Sequence, residues 1–211
     1  SERVNQIRNW NMNFIQGDIL DKELMKKYCH DADIVHHLAG VTAVPRVKSE
    51  SSKENDEKIK QVAEEGTQNI LDVISDKCKI VVPSTHVVYE GMEKVKNDIR
   101  EDEKTSPMLS YGKSKDFNEK QLKASGKNYI ILRLGSVYGY STDTARIDIM
   151  ANFFSKMASQ DGTLRLFAGG AQVKSLVPLI DVARCFKFME EREDLSSDIF
   201  NLTKDLSLIH I

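Results

Sequence analysis

Apolar and polar positions fall along this chain in blocks whose lengths separate strands from helices. Residues 79–89, Lys-Ile-Val-Val-Pro-Ser-Thr-His-Val-Val-Tyr, begin as a β-branched run with no polar break before Ser84, the pattern of a parallel strand buried on both faces. Residues 33–38 and 129–134 read as strands of the same kind. Between the first two strands, Ile59, Val62, Ala63, Gly66, Ile70, Leu71 and Ile74 recur at helical spacing within residues 49–76, and the intervening Lys and Glu residues form a solvated face. Asp21 is a predicted N-cap for a helix over residues 22–28, and Gly126 a predicted C′ glycine for a helix over residues 111–125. The remaining expectations are a short strand at 13–16, a charged surface loop at 90–105, a helix at 148–159 and a turn at Asp161-Gly162. They end with strands at 164–167 and 176–177 and a helix at 182–191 capped by Asp181.

Composition narrows the class. With 211 residues, 40% of them hydrophobic, the chain can bury one substantial core. Thirty basic against 32 acidic residues give a net charge of −2, which argues against a general nucleic-acid surface. No run has the apolar length of a membrane span and no signal-peptide pattern opens the chain, so the cytoplasm is the expected compartment and no membrane partner is expected. Cys29, Cys78 and Cys185 are scattered and odd in number, which fits reduced thiols. His36 and His37 are adjacent on a strand and point to opposite faces, so they cannot share an ion, and no metal site is expected.

The chemistry concentrates at two places. Ser84 and Thr85 bring hydroxyls to the carboxyl end of the strand at 79–85, where open α/β sheets bind ligands. Tyr111 and Lys115 stand one helical turn apart on one face, so the ammonium can favour the phenolate. A hydroxyl, an activated tyrosine and a lysine can take a proton from an alcohol while hydride leaves the same carbon, a reaction that needs a nicotinamide.

In order along the chain stand Gly17-Asp18, Asp33-Ile-Val-His-His-Leu-Ala-Gly40, Ser84-Thr85-x-x-x-Tyr89, Tyr111-Gly-Lys-Ser-Lys115, Leu132-Arg-x-x-x-Val-Tyr-Gly139 and Leu179-Ile-Asp-Val-Ala183. Together they resemble the extended short-chain dehydrogenase/reductases, in particular the NAD-dependent nucleotide-sugar epimerase/dehydratase group. The resemblance implies a Rossmann-like doubly wound parallel sheet over residues 1–140 and a small substrate-binding region over 141–211, interleaved with the last Rossmann elements. It implies Thr85, Tyr111 and Lys115 as catalytic residues, and Asp18, Ile19, Leu38, Ala39 and Gly40, with Tyr111 and Lys115, as contacts to NAD, NADP remaining open. Thr42, Ser84, Ser136 and Lys174 are the implied contacts to a nucleoside-diphosphate sugar, and a homodimer through the Tyr-x-x-x-Lys helix and its predecessor is implied as well. Several positions depart from the group: Thr42 where 4-epimerases often carry lysine, Ala63 for an asparagine, Ser136 for an asparagine, and Lys174 for a phosphate-binding arginine. The 4,6-dehydratases follow their threonine with Asp-Glu, where this chain has His86 and Val87. C4 epimerisation is therefore the first reading. Dehydratase, decarboxylase or reductase chemistry, and an inactive fragment or NAD(P)-binding scaffold, are its alternatives.

The chain does not begin with Met, and the glycine-rich turn expected of a dinucleotide-binding fold is not in its sequence, so a preceding βαβ portion is expected. In the strand order 3-2-1-4-5-6 the strands near Asn13 and Ile34 would each lack a neighbour, which implies poor stability and weak dinucleotide binding for this stretch alone. Residues 206–211 read as translated adapter sequence.

Overall fold

The computed structural model describes residues 2–41, 53–93, 96, 98–140, 146–147, 149–166, 170 and 173–208. In chain order come α1 (Glu2–Asn9), α2 (Lys22–Cys29), β1 (Ile34–His36), α3 (Lys53–Val73), β2 (Lys79–Thr85), a 3-10 turn (His86–Tyr89), α4 (Ser110–Ala124) and β3 (Asn128–Leu134). There follow β4 (Ser136–Tyr138), α5 (Met150–Ser159), β5 (Val173–Pro178), α6 (Leu179–Glu191), β6 (Asp198–Leu202) and β7 (Lys204–Leu208). Strands β1, β2, β3 and β6 form one parallel sheet in that order, with Val81 opposite His36 and Ile130, and Leu134 opposite Thr85 and Leu202. A second, three-stranded sheet pairs β5 parallel with β4 and antiparallel with β7.

The main sheet is parallel, with its central strands β2 and β3 apolar on both faces and each face covered by helices. Ile80, Val82 and Ile131 meet Ile70, Leu71 and Ile74 after and within α3, and Leu122 of α4. On the other face, Val81, Ile130 and Leu132 meet Val177 and the α6 residues Val182, Phe186 and Met189. Each fully buried aliphatic side chain contributes about 1.5–3 kcal/mol relative to exposure. This is the α/β, doubly wound class that the sequence implies.

Local chemistry sets the element ends. The Asp21 side chain accepts from Leu24 N at 3.0 Å and starts α2, as expected. Gly126 takes φ +71° just past α4, the left-handed conformation expected of it. Lys79 is buried, and its ammonium donates to the carbonyls of Met189 at 3.2 Å and Arg192 at 2.5 Å, placing a cation on the open carbonyls at the end of α6.

Other expectations are corrected. Residues 13–16 form no strand: β1 pairs only with β2 among the described strands, so no ladder receives them, and Phe14 and Ile15 are exposed. The segment before them is helical over Glu2–Asn9. Asp181 lies inside the first turn of α6, whose N-cap is Pro178, and its carboxylate accepts from Arg184 Nη1 at 3.2 Å. Residues 164–166 lie outside any strand, and residue 167 lies outside the described residues. Strand β6 carried no periodic signal, yet it extends the sheet beyond β3. Helix α3 starts at Lys53 and α5 at Met150; residues 49–52 and 148 lie outside the described residues.

Candidate active site

The carboxyl end of β2 carries the two hydroxyls, and strand alternation separates them. Ser84 turns toward α4, where its Oγ donates to Glu119 Oε1 at 2.5 Å. Thr85 is extended at φ −149° and ψ 149°, and its Oγ1 accepts from Val87 N at 3.3 Å, which opens the 3-10 turn. Both residues are buried.

Helix α4 supplies the phenol and the ammonium, and it comes close to the 3-10 turn after β2 because Gly112 has no side chain. A Cβ there would lie 3.3 Å from the Val87 carbonyl oxygen and 3.1 Å from Pro107 Cβ. Tyr111 precedes this contact, so the first turn of α4 is held against the turn that Thr85 starts. Burial raises the Tyr111 pKa, and the charge of Arg146 opposes the rise. Lys115 donates to the Pro83 carbonyl at 3.0 Å. Burial lowers its pKa to about 8 against the pull of Glu119. The ammonium that was expected to act on the phenol is thus held by the β2 backbone in this structure.

Lys115 also borders the end of β1. Its Nζ lies 3.9 Å from the position a Cβ would take on Gly40, and Leu38, Ala39 and Gly40 are exposed there. Beneath them His37 is buried, its Nε2 2.9 Å from Thr67 Oγ1, while its Nδ1 finds no hydrogen-bond partner among the described residues. Burial first, and the Lys115 charge second, lower the His37 pKa to about 4. Asn118 Nδ2 donates to Thr67 Oγ1 at 2.9 Å and to the Ala63 carbonyl at 2.7 Å, joining α4 to α3 at the position where Ala63 departs from the group pattern.

Asp18 accepts from Leu20 N at 2.9 Å and so serves its own turn. Ile19 is pinned to α3: Asn69 Nδ2 donates to its carbonyl at 3.2 Å, and a Cβ on Gly66 would stand 2.8 Å from Ile19 Cγ2. Ser136 opens β4 opposite Leu176 of β5. Lys174, on β5, exerts its charge on Glu90 and on His86, the residues that follow the end of β2. His86 Nδ1 donates to the Leu134 carbonyl at 3.0 Å, and its pKa is lowered by burial. Thr42 lies outside the described residues.

Sequence reasoning missed a buried polar group below these residues. Arg133 and Glu119 are each 2% exposed. Arg133 Nη2 donates to Glu119 Oε2 at 2.6 Å and Nε to Oε1 at 3.0 Å, while Nη1 donates to the Glu101 carbonyl at 2.9 Å and to the Tyr89 hydroxyl. The available signal was a charge inside an apolar strand, since a buried arginine requires a partner of opposite charge.

The sequence profile of the NAD dependent epimerase/dehydratase family matches residues 1–203. The chain belongs to that family. Over 137 residues it is 34% identical to a UDP-glucose 4-epimerase of Azospirillum brasilense, a match that covers 59% of this chain and 36% of that protein. Among solved structures, the UDP-glucose 4-epimerase of Thermotoga maritima with UDP-glucose shares the fold at TM-score 0.77 and 24% identity, over 92% of this chain and 63% of that one. A UDP-glucuronic acid 4-epimerase of Bacillus cereus, in complex with UDP-glucuronic acid and NAD, shares it at TM-score 0.78 and 24% identity, over 96% of this chain and 65% of that one. The family member described here therefore spans less than two thirds of the length of these relatives. No helix among the described residues is long and apolar enough to cross a membrane.

Proposed function

We propose that this family member takes part in the C4 epimerisation of a nucleoside-diphosphate sugar, with Thr85, Tyr111 and Lys115 as its catalytic residues. The observation that carries the reading is the convergence at the carboxyl end of β2: Thr85 ends the strand, Gly112 brings the Tyr111 turn against Val87, and Lys115 reaches the Pro83 carbonyl. The epimerase names of the relatives support the reaction class.

The residues suit a dinucleotide on the β1 side. Leu38, Ala39 and Gly40 offer an exposed ledge of mostly small side chains beside the Lys115 ammonium, and Asp18 and Ile19 lie at the neighbouring segment held by α3. When bound, NAD supplies the hydride acceptor and donor. The chain's own part is to move a proton and hold the sugar. Tyr111 removes the proton from the C4 hydroxyl as the C4 hydrogen leaves as hydride and the C4–O bond becomes a carbonyl. Thr85 hydrogen-bonds the same oxygen, and Lys115, released from the Pro83 carbonyl, would hold the cofactor ribose and bring positive charge toward the phenol. With the keto sugar turned over, Tyr111 would give the proton back to the C4 oxygen, and because NAD would act as acceptor and then donor of the same hydride there would be no net redox. Ser136 and Lys174 contact the nucleotide portion, Lys174 as a point charge. Ser84, engaged with Glu119, acts through the strand end more than on the sugar itself. The Asp-Glu pair of the resembling dehydratases is replaced by Val87, which carries no titratable proton, and by His86, whose Nδ1 donates to the Leu134 carbonyl, which favours epimerisation over dehydration.

The test is incubation with NAD and a panel of UDP-, dTDP- and GDP-sugars, with products separated by chromatography. A C4-inverted sugar that falls by about 10²-fold or more in Tyr111→Phe supports the reading. Turnover that survives the substitution refutes the role of Tyr111.

A further inference from the structure

Glu119 is a single carboxylate shared by three elements. It sits on α4, one turn beyond Lys115, and accepts from Ser84 of β2 at 2.5 Å and from the Arg133 fork of β3 at 2.6 and 3.0 Å. Arg133 continues outward to the Tyr89 hydroxyl and the Glu101 carbonyl. Asn201 of β6 secures the same loop, donating from Nδ2 to the Ile99 carbonyl at 2.9 Å and from its backbone N to Glu101 Oε1 at 2.8 Å. Ser84 is the residue before Thr85, and Glu119 and Lys115 share a helix face. The network therefore touches both elements that present the proposed catalytic residues, β2 for Thr85 and α4 for Tyr111 and Lys115. It also ties the charged loop before α4 to the sheet.

We propose that Glu119 is a positioning residue: through Ser84 and Arg133 it fixes the end of β2, helix α4 and the loop at residues 99–101 as one unit, and so sets the placement of Thr85, Tyr111 and Lys115. A buried fork-to-carboxylate pair that also accepts a hydroxyl has few other geometries available, because each donor would otherwise be left without a partner. A pair serving stability alone needs neither Ser84 nor proximity to Lys115. The inference rests on the proposed catalytic set, and it is tested by a readout that does not need turnover.

The groups that act on the Lys115 ammonium are Glu119 on its own helix, the Pro83 carbonyl of β2 and His37 just past β1, with Arg133 of β3 behind Glu119; Tyr111 stands one turn earlier on the same helix. Glu119→Gln keeps the shape and removes the charge. In the folded protein, Lys115 is followed by NMR of its 13Cε–15Nζ group, assigned with Lys115→Arg. The wild type is expected to titrate at about 8 and the variant lower, because the carboxylate that holds the ammonium charged is gone. If sugar turnover is present, kcat falls by about 10²-fold with KM little changed. A Lys115 titration and kcat both unchanged in a folded Glu119→Gln protein overturn the proposal. Absence of turnover in wild type and variant alike refutes the epimerase reading and leaves the titration to decide the role of Glu119. Should Glu119→Gln not fold, Ser84→Ala removes one hydrogen bond and leaves the ion pair. Amide exchange at Val87 N, the partner of Thr85 Oγ1, is then expected to quicken by about fivefold or more. An unchanged Val87 amide overturns the proposal.

Discussion

Acid is expected to destabilise this protein through His37 before its carboxylates titrate. The ring is 4% exposed, its Nε2 meets Thr67 Oγ1, and its Nδ1 has no partner among the described residues. An imidazolium would need acceptors at both nitrogens and would stand near the Lys115 charge, so the pKa falls from 6.5 to about 4. The unfolded chain takes up a proton at about 6.5 and the folded one only at about 4. Stability is therefore whole above pH 6.5 and is lost as pH falls through that window. The gap corresponds to about 3 kcal/mol, or a drop of about 1–2 M in a urea midpoint. The assay is urea unfolding at intervals from pH 7 to pH 4 for wild type and His37→Gln. The variant starts less stable, having lost ring packing, but loses about 3 kcal/mol less on acidification. His86, also lowered by burial, contributes equally to both proteins and cancels in the difference. Parallel acid profiles for the two proteins would refute the reasoning.

Three further outcomes are expected. Ile131→Ala, at a fully buried position on β3 packed with Val82, Leu122 and the α3 residues, costs about 2–5 kcal/mol by denaturant unfolding. Lys79→Met removes the cation from the last carbonyls of α6 and destabilises by about 1–3 kcal/mol, with faster exchange of amides in the last turn of that helix. A homodimer through α3 and α4, which we propose on the resemblance alone, would cover the groove of about 590 Å³ lined by Lys60, Glu64, Lys113 and Phe117 among others; its test is sedimentation analysis, in which Phe117→Glu converts a dimer to monomer, and a wild type that sediments as a monomer refutes it.

The central sheet was legible because burial on both faces leaves long β-branched runs: residues 79–85 and 129–134 needed no context to be read as strands. Helix α4 was legible from its ends, Tyr111 near one and Gly126 after the other. Strand β6 was not, since Asp198 and Asn201 interrupt a short apolar stretch and its pairing with β3 comes from tertiary contact. Residues 13–16 have strand-like composition but no ladder, which no local pattern reveals. In the site, residue types and their order pointed to Thr85, Tyr111 and Lys115. That Lys115 bonds Pro83, and that Ser84 faces Glu119 while Thr85 turns to its own 3-10 turn, depend on how three elements meet. The Arg133–Glu119 pair joins positions on different elements that only the fold brings within hydrogen-bond reach.

The most direct test of the proposed chemistry follows the hydrogen at C4. The protein is given NAD and a nucleoside-diphosphate sugar carrying deuterium at C4, in ordinary water, and the product is read by mass spectrometry and NMR. Oxidation and return by the route centred on Tyr111 predict a C4-inverted sugar that retains its deuterium. Inversion with deuterium lost to water, or no inversion with any sugar of the panel, would contradict it.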